Sequence, residues 1–212
     1  MVDSVAAALR WTGEGVRAVT VRETDTGPDD VTNLAELSEA DLVTACLDGR
    51  RGAFDIIVER HRRPVYQICY RFMGNHEDAS DLSQEVFLRA FRGLKNFKGG
   101  SMLGTWLHRI AVNTSLNRLA LKVPRTEPID ETQHVDTHTE SASDRLLRDE
   151  RAVKVRAAVA RLPKKQRAAL ILRTYQELSH QEVASVLGTS VGAAKANVFH
   201  ALQNLKKLLG DV

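Results

Sequence analysis

The sequence predicts an all-α fold in which two small helical domains are joined by an irregular linker. Apolar residues recur at helical spacing over most of residues 41–122 and again over residues 145–212, which ends in a helix-turn-helix pattern. The segment between them, residues 123–144, carries two prolines, many Thr and Ser residues and no periodicity. No alternating pattern of useful length predicts a β-strand.

The composition is that of an ordinary globular protein. The chain has 212 residues, of which 43% are hydrophobic and 27% charged. No window approaches the roughly 18 apolar residues of a membrane span, and Asp3 precedes the short apolar run at the N-terminus, so we expect neither membrane insertion nor a signal peptide. The spacing of Cys46 and Cys69 fits neither a zinc site nor a redox pair. We therefore expect reduced cysteines in a cytoplasmic protein.

Charge alternates along the chain in four blocks. Residues 1–41 carry a net charge of −6, residues 42–122 of +6, residues 123–144 of −5 and residues 145–212 of +8. Two basic blocks favour a polyanionic partner, most simply a nucleic acid. Two solvated helical domains with a solvated linker would give the same pattern, so charge alone leaves both interpretations open.

Residues 1–40 contain Gly13, Gly15, Gly27, Pro28 and the acidic pair Asp29 and Asp30, and we expect them to form a mostly disordered acidic extension. Ser38 and Asp41 resemble a capping box, which places the start of the first helix of the domain at about residue 41. The predicted helices that follow are separated by Gly74 and Asn75 and by the loop Phe97–Gly104. They cover approximately residues 53–72, Asp81–Leu94 and Thr105–Leu119.

The helix Thr105–Leu119 carries a polar stripe besides its apolar face. Arg109, Asn113 and Asn117 lie at positions i, i+4 and i+8 and therefore on one side of the helix. Asn is a poor helix-interior residue, because its side chain competes for backbone hydrogen bonds. The pattern indicates a contact function for the two amides, although solvent-facing polar residues would look the same.

The C-terminal domain ends in a predicted helix-turn-helix. Ser179 and Glu182 form a capping box for a short helix, Gly188 permits a left-handed turn, and Ser190 caps a second helix. The second helix of such a motif can enter the major groove of DNA, where Lys195 could reach guanine or phosphate. An ordinary helical hairpin is the alternative.

Several motifs in a fixed order resemble one family. "DASDLSQEVFLRAF" (Asp78–Phe91), "TWLHRIAVNTSLNRL", an acidic linker, "RLPKKQRAALILR" (Arg161–Arg173) and the terminal helix-turn-helix follow one another. This set resembles the extracytoplasmic-function group of bacterial sigma factors, which retain only sigma domains two and four. The resemblance covers about residues 41–209 and implies that the 41–122 block is domain two and the 145–212 block domain four.

The resemblance also implies the contact residues. Domain two would bind the melted promoter −10 element, with Asn113 contacting a flipped-out base, and many relatives place an aromatic residue where this chain has Leu103. The implied −10 contacts are Phe97, Lys98, Met102, Leu103, Trp106, Arg109, Asn113 and Asn117. The implied −35 contacts are Ser190, Gly192, Lys195, Ala196, Asn197, Phe199 and His200. The implied polymerase contacts are Asp81, Leu82, Gln84, Glu85 and Arg89.

The implied partners are core RNA polymerase, through its β′ and β subunits, promoter DNA and an anti-sigma factor. The sequence contains no nucleophile–base motif, P-loop or metal-ligand set, so we expect neither catalysis nor a cofactor. His134 and His138 have metal-pair spacing but lie in the linker without a further ligand cluster. Two alternatives remain at this point: a helix-turn-helix regulator that binds duplex DNA without polymerase, and a helical protein-interaction adaptor.

Overall fold

The computed structural model describes residues 34–121 and 142–210, except the side chains of residues 142–149, and the backbone of two short strands. β1 (Trp11–Thr12) pairs antiparallel with β2 (Gly15–Val16). The α-helices of the described residues are α1 (Glu39–Leu47), α2 (Ala53–Met73), α3 (His76–Gly93), α4 (Leu103–Leu121), α5 (Ala142–Ala160), α6 (Lys164–Tyr175), α7 (His180–Leu187) and α8 (Val191–Leu209). A short 3-10 helix, Leu94–Asn96, follows α3. The all-α prediction is confirmed for both blocks. His134, His138 and most of the predicted linker and extension lie outside the described residues.

The helix boundaries follow local capping chemistry. The left-handed Gly74, with φ 84°, ends α2. The Oδ1 atom of Asn75 accepts a hydrogen bond of 2.8 Å from the backbone N–H of Asp78, so α3 begins at His76. This start lies five residues before Asp81, where the apolar periodicity alone placed it, because the capping turn adds a polar first turn.

The folded part of the first domain extends upstream of residue 41. Leu34 is 2% exposed and packs with Ala45 and Ala53. The guanidinium of Arg60 donates a hydrogen bond of 2.6 Å to the carbonyl oxygen of Ala35. The expected extension over residues 1–40 is therefore too long at its C-terminal end, since its last residues are anchored to α1 and α2.

Helix α2 is the centre of the first domain and packs against α1, α3 and α4. Its buried side chains recur at helical spacing on both sides of Pro64, which lies inside the helix without ending it. The largest fully buried side chains of this domain are Leu34, Leu42, Ile57, Val65, Ile68, Phe72, Leu82, Val86, Leu107 and Val112.

The second domain packs directly against the first. Ala168, Ile171 and Leu172 of α6 and Val183 of α7 belong to the same apolar cluster as the core of the first domain. In α8, Ala201 is fully buried and Leu205 is partly buried, whereas Leu202 is 55% exposed. The two blocks that the sequence separates by a linker are thus in contact.

Candidate nucleic-acid interface

The polar stripe of α4 lies on the protein surface. Arg109, Asn113 and Asn117 are exposed, while Leu107 and Ala111 on the opposite side of the helix are fully buried. Neither asparagine amide makes a hydrogen bond to another residue that the structure describes, so both retain their donor and acceptor groups for a ligand. Helical periodicity alone predicted this shared face.

One of the expected −10 contacts at the start of α4 does not lie on the surface. Leu103 is the first residue of α4 and is 3% exposed, so it belongs to the core and does not present itself to a base. Met102, which is 73% exposed, is the apolar side chain available at this edge. Phe97 and Trp106 are half-buried and pack together with their ring centroids 5.2 Å apart. Lys98 is exposed beside them.

The helix-turn-helix prediction is confirmed in its local geometry. The backbone N–H of Ser179 donates to Glu182 at 2.7 Å, and Ser179 Oγ accepts from the N–H of Glu182 at 3.2 Å. Gly188 has φ 62°, and Ser190 Oγ accepts from the N–H of Ala193 at 3.2 Å. These contacts fix where α7 ends and α8 begins.

Most of the expected DNA-contacting residues of α8 lie on its exposed side. Phe199 is 57% exposed, and its ring makes an edge contact with His200. Asn197 is half-buried, and the hydroxyl of Ser190 already serves as the helix cap. The remaining expected residues, which are all exposed, are Gly192, Lys195, Ala196 and His200.

Helix α3 presents a polar surface that is tied to α4. Arg89 and Arg118 hydrogen-bond to Glu85 at 2.6 and 2.8 Å. Partial burial tends to raise the pKa of Glu85, but the hydrogen bonds from Arg118 and then Arg89 outweigh it and lower this pKa. Asp81 is exposed and Gln84 is half-exposed, whereas Leu82 is fully buried. Leu82 is therefore a core residue and not part of the surface to which it was assigned.

The two domains meet beside the α4 stripe. Helix α7 packs against α4, and the guanidinium of Arg109 donates a hydrogen bond to the carbonyl oxygen of Ser185. His108 is 9% exposed at this contact. Burial, followed by the charge of nearby His61, lowers the pKa of His108 to about 4, while Glu182 of α7 acts in the opposite direction.

A second contact joins α6 to the end of α2. Arg167 is 8% exposed and donates hydrogen bonds to the carbonyl oxygens of Phe72 and Arg71, at 2.7 and 3.2 Å. These carbonyls belong to the last turn of α2, where a cation is favoured by the helix dipole. Burial lowers the pKa of Arg167 to about 10. Beside it, the guanidinium carbon of Arg71 lies 3.8 Å from the ring centroid of Tyr175.

Two family models match successive parts of the chain. The model of sigma-70 region 2 matches residues 57–122, and that of sigma-70 region 4 matches residues 143–205. The RNA polymerase sigma-H factor of Pseudomonas aeruginosa is 32% identical over 185 residues, which cover 83% of this chain and 96% of that protein. SigM of Mycobacterium tuberculosis, an extracytoplasmic-function sigma factor, is 35% identical over 82% of this chain and 86% of its own length.

The chain belongs to the extracytoplasmic-function sigma factors of RNA polymerase. Solved structures support the fold. CnrH in complex with the cytosolic domain of CnrY aligns over 85% of this chain and 97% of CnrH, with a TM-score of 0.59 and 24% identity. RpoE of Bartonella quintana in complex with NepR aligns over 74% of this chain and 97% of RpoE, with a TM-score of 0.55 and 20% identity. Sigma region 2 thus matches residues 57–122, and sigma region 4 matches residues 143–205.

Two residues at the contact between the sigma regions were missed in the sequence, although helical spacing carries a signal for each. Arg167 lies four residues before the fully buried Ile171 and so shares its face of α6. His108 lies four residues before Val112, which is 1% exposed, on α4. A titratable residue within an apolar stripe indicates either a buried partner or a contact between domains.

Two further findings on the described residues concern membranes and metal ions. Among them, no helix has both the length and the apolar character needed to cross a bilayer. The same residues hold no group of three or more His, Cys, Asp or Glu side chains placed to bind a metal ion.

Proposed function

We propose that this sigma factor directs core RNA polymerase to promoters through three surfaces, with α4 at the −10 element, α8 at the −35 element and α3 on the polymerase. The observation that carries the proposal is the exposed pair Asn113 and Asn117, whose amides have no partner among the described residues. An amide both donates and accepts hydrogen bonds, which suits the edge of an unpaired base.

The base that Asn113 contacts would be flipped out of the non-template strand. Flipping costs a few kcal/mol of unstacking, which contacts on the protein must offset. The exposed Met102 and the half-buried rings of Phe97 and Trp106 offer apolar surface at the same end of α4. Arg109 and Lys98 would bind the adjacent backbone phosphates, where guanidinium and ammonium groups displace counterions.

Helix α8 would read the −35 element as duplex DNA. Lys195, Phe199 and His200 project from its exposed side, and Gly192 lets the backbone approach the phosphates closely. The exposed helix carries few basic residues, since Lys195 is the sole Lys or Arg between Val191 and Leu205. Region 4 alone would therefore bind duplex DNA weakly, and attachment to polymerase would supply the second anchor.

The structure holds the two sigma regions in contact, an arrangement called closed below, and this contact bears on the proposed function. The −35 and −10 elements lie about 25 base pairs apart, or roughly 85 Å of duplex at about 3.4 Å per pair. Arg109 of the −10 surface nevertheless hydrogen-bonds to Ser185 of the helix-turn-helix. Both elements cannot be bound at once in this arrangement, so the regions would separate when the protein joins polymerase on the promoter.

The partners follow from the same surfaces. Asp81, Gln84 and Arg89 of α3 would dock on the β′ subunit, with Glu85 holding α3 against α4 through Arg118. Region 4 would contact the β subunit. CnrH was solved with the cytosolic domain of CnrY, and the RpoE of Bartonella quintana was solved with the anti-sigma factor NepR. We propose an anti-sigma factor for this chain too. The protein would act without catalytic chemistry of its own, in the cytoplasm where polymerase works.

Reconstituted transcription tests the proposal. Purified protein is added to bacterial core polymerase on a library of promoter fragments, and the 5′ ends of the transcripts are sequenced. We expect discrete start sites that require both components, with shared sequences upstream at −10 and −35. The protein alone should not shift the selected fragments in a gel. Tight, specific duplex binding without polymerase, or the absence of any sigma-dependent start site, would contradict it.

A further inference from the structure

A cavity of about 210 Å³ lies between the two sigma regions. Region 2 supplies the last turn of α2, and region 4 supplies parts of α5 and α6. Most of the wall is apolar, with Phe72, Val155, Ile171 and Tyr175 among its residues. An apolar cavity of about 150 Å³ can hold a benzene ring, so this one has room for a ring and one small polar substituent.

The charged side chains of the cavity wall are all positive. Arg71, Arg156 and Arg167 line it, and no Asp or Glu is among its described lining residues. No carboxylate of the described residues pairs with any of the three guanidinium groups. An anion placed among three such cations would be favoured by all of them.

Two buried hydrogen-bond donors in this wall have no partner. Arg167 is only 8% exposed. Its Nη2 atom donates to two carbonyl oxygens, but its Nε atom has no acceptor. The Nε of Arg156 is likewise buried without an acceptor. Unpaired buried donors are uncommon in folded proteins, because each loses its hydration without replacement. Both donors are therefore available to a hydrogen-bond acceptor.

We propose that the cavity binds a small carboxylate with an apolar body, of about the size of benzoate, whose charge the arginines of both sigma regions share. Guanidinium groups pair with carboxylates through short, charge-assisted hydrogen bonds, and the apolar wall would cover the rest of the ligand. Because α2 belongs to region 2 while α5 and α6 belong to region 4, the bound ligand stabilises their contact. The site stands independently of the proposed promoter function.

Calorimetric titration of the full chain tests the site in the absence of DNA and polymerase. The probes are benzoate, its neutral analogue benzamide, and acetate, which has the charge without the ring. We expect saturable 1:1 binding of benzoate with a Kd below about 1 mM, and binding at least tenfold weaker for the other two. No saturable heat up to about 10 mM benzoate, or equal binding of benzamide, overturns the proposal.

Two matched variants locate the binding. Arg156→Gln removes one guanidinium of the cavity, whereas Arg151→Gln removes an exposed one from the same helix that does not line it. We expect R156Q to weaken benzoate binding at least tenfold and R151Q to leave it unchanged, with both variants retaining the helical circular dichroism of the parent. Equal affinities in parent and R156Q would place the ligand elsewhere and overturn the assignment.

Discussion

The Nη2 atom of Arg167 lies 2.7 Å from the carbonyl oxygen of Phe72, so region 4 supplies a cation to the C-terminal end of the central helix of region 2. The last carbonyls of a helix have no partners within it, and a buried guanidinium satisfies them better than an apolar side chain can. Together with the hydrogen bond from Arg109 to the carbonyl oxygen of Ser185, this contact is a polar link between the two regions.

Replacing Arg167 by Met should open the molecule. Met keeps much of the apolar volume but leaves the carbonyls of Phe72 and Arg71 without this donor, at a cost of roughly 1.5–3 kcal/mol. That loss shifts the equilibrium between closed and open forms at least about tenfold. Small-angle scattering should show a larger radius of gyration for R167M. The exposed Lys165 of the same helix provides the control, and K165M should scatter like the parent. Identical scattering curves for R167M and the parent would contradict this role.

Substituting Asn113 should impair promoter opening more than polymerase binding. Asn113→Ala removes the amide from the exposed stripe of α4 and should reduce open-complex formation about tenfold, since contacts to one base are worth roughly 1–3 kcal/mol. Asn113→Asp keeps the shape but loses the donor and adds charge near phosphates, so its defect should be larger. Permanganate reactivity of unpaired thymines measures the melted fraction.

The control for this prediction is Asn96→Ala, which removes an exposed amide outside the proposed contact set. It should melt the promoter as the parent does, while all variants keep equal affinity for core polymerase. Normal permanganate reactivity in N113A would exclude Asn113 from the base contact.

The spacing of residues along the chain predicted which residues share a face of α3 or α4, but not which of those faces are buried. The four-residue repeat of Arg109, Asn113 and Asn117 was enough to place them together on the surface. Leu103 and Leu82 were assigned to contact surfaces from their positions in motifs, yet both are buried, because burial depends on the helices that pack around them. The start of α3 was likewise predicted too late, because the cap at Asn75 adds a polar first turn before the apolar pattern.

The contact between the regions could not be predicted from periodicity. A helix wheel shows that Arg167 shares a face with Ile171, but not that the end of α2 receives it. Such partners are distant in the chain, and only tertiary packing brings them together. The irregular composition of the linker indicated separate domains and gave no information about their docking.

Lys195 should affect −35 binding through charge. As an exposed basic residue of α8, it is expected to contact phosphate or a guanine edge. For a phosphate contact, Lys195→Ala should weaken holoenzyme binding on all promoters alike and reduce the slope of log K against log salt by about 1. A guanine contact would instead weaken binding on promoters that carry that base. Titrations over a range of salt concentrations distinguish these cases. Lys207→Ala, near the end of α8, serves as the control, and a K195A slope and affinity equal to those of the parent would exclude any DNA contact.

His108 should make the stability of the protein depend on pH. Its pKa is about 4 in the folded protein and 6.5 in its ordinary state, chiefly because burial disfavours the charged imidazole. The unfolded chain therefore takes up a proton more readily, and the free energy of unfolding falls as the pH drops from about 6.5 towards 4. Between pH 7 and pH 5 the loss from this group is about 2 kcal/mol.

His108→Leu should remove this component, because the leucine binds no proton and also replaces a buried Nδ1 that has no hydrogen-bond partner. Urea unfolding at pH 7 and pH 5 measures the difference for the parent, H108L and His200→Gln, which alters an exposed histidine of α8. We expect H108L to lose about 2 kcal/mol less than the parent over this interval, and H200Q to behave as the parent does. Equal losses in the parent and H108L would mean that His108 is not the buried neutral imidazole at the contact between α4 and α7.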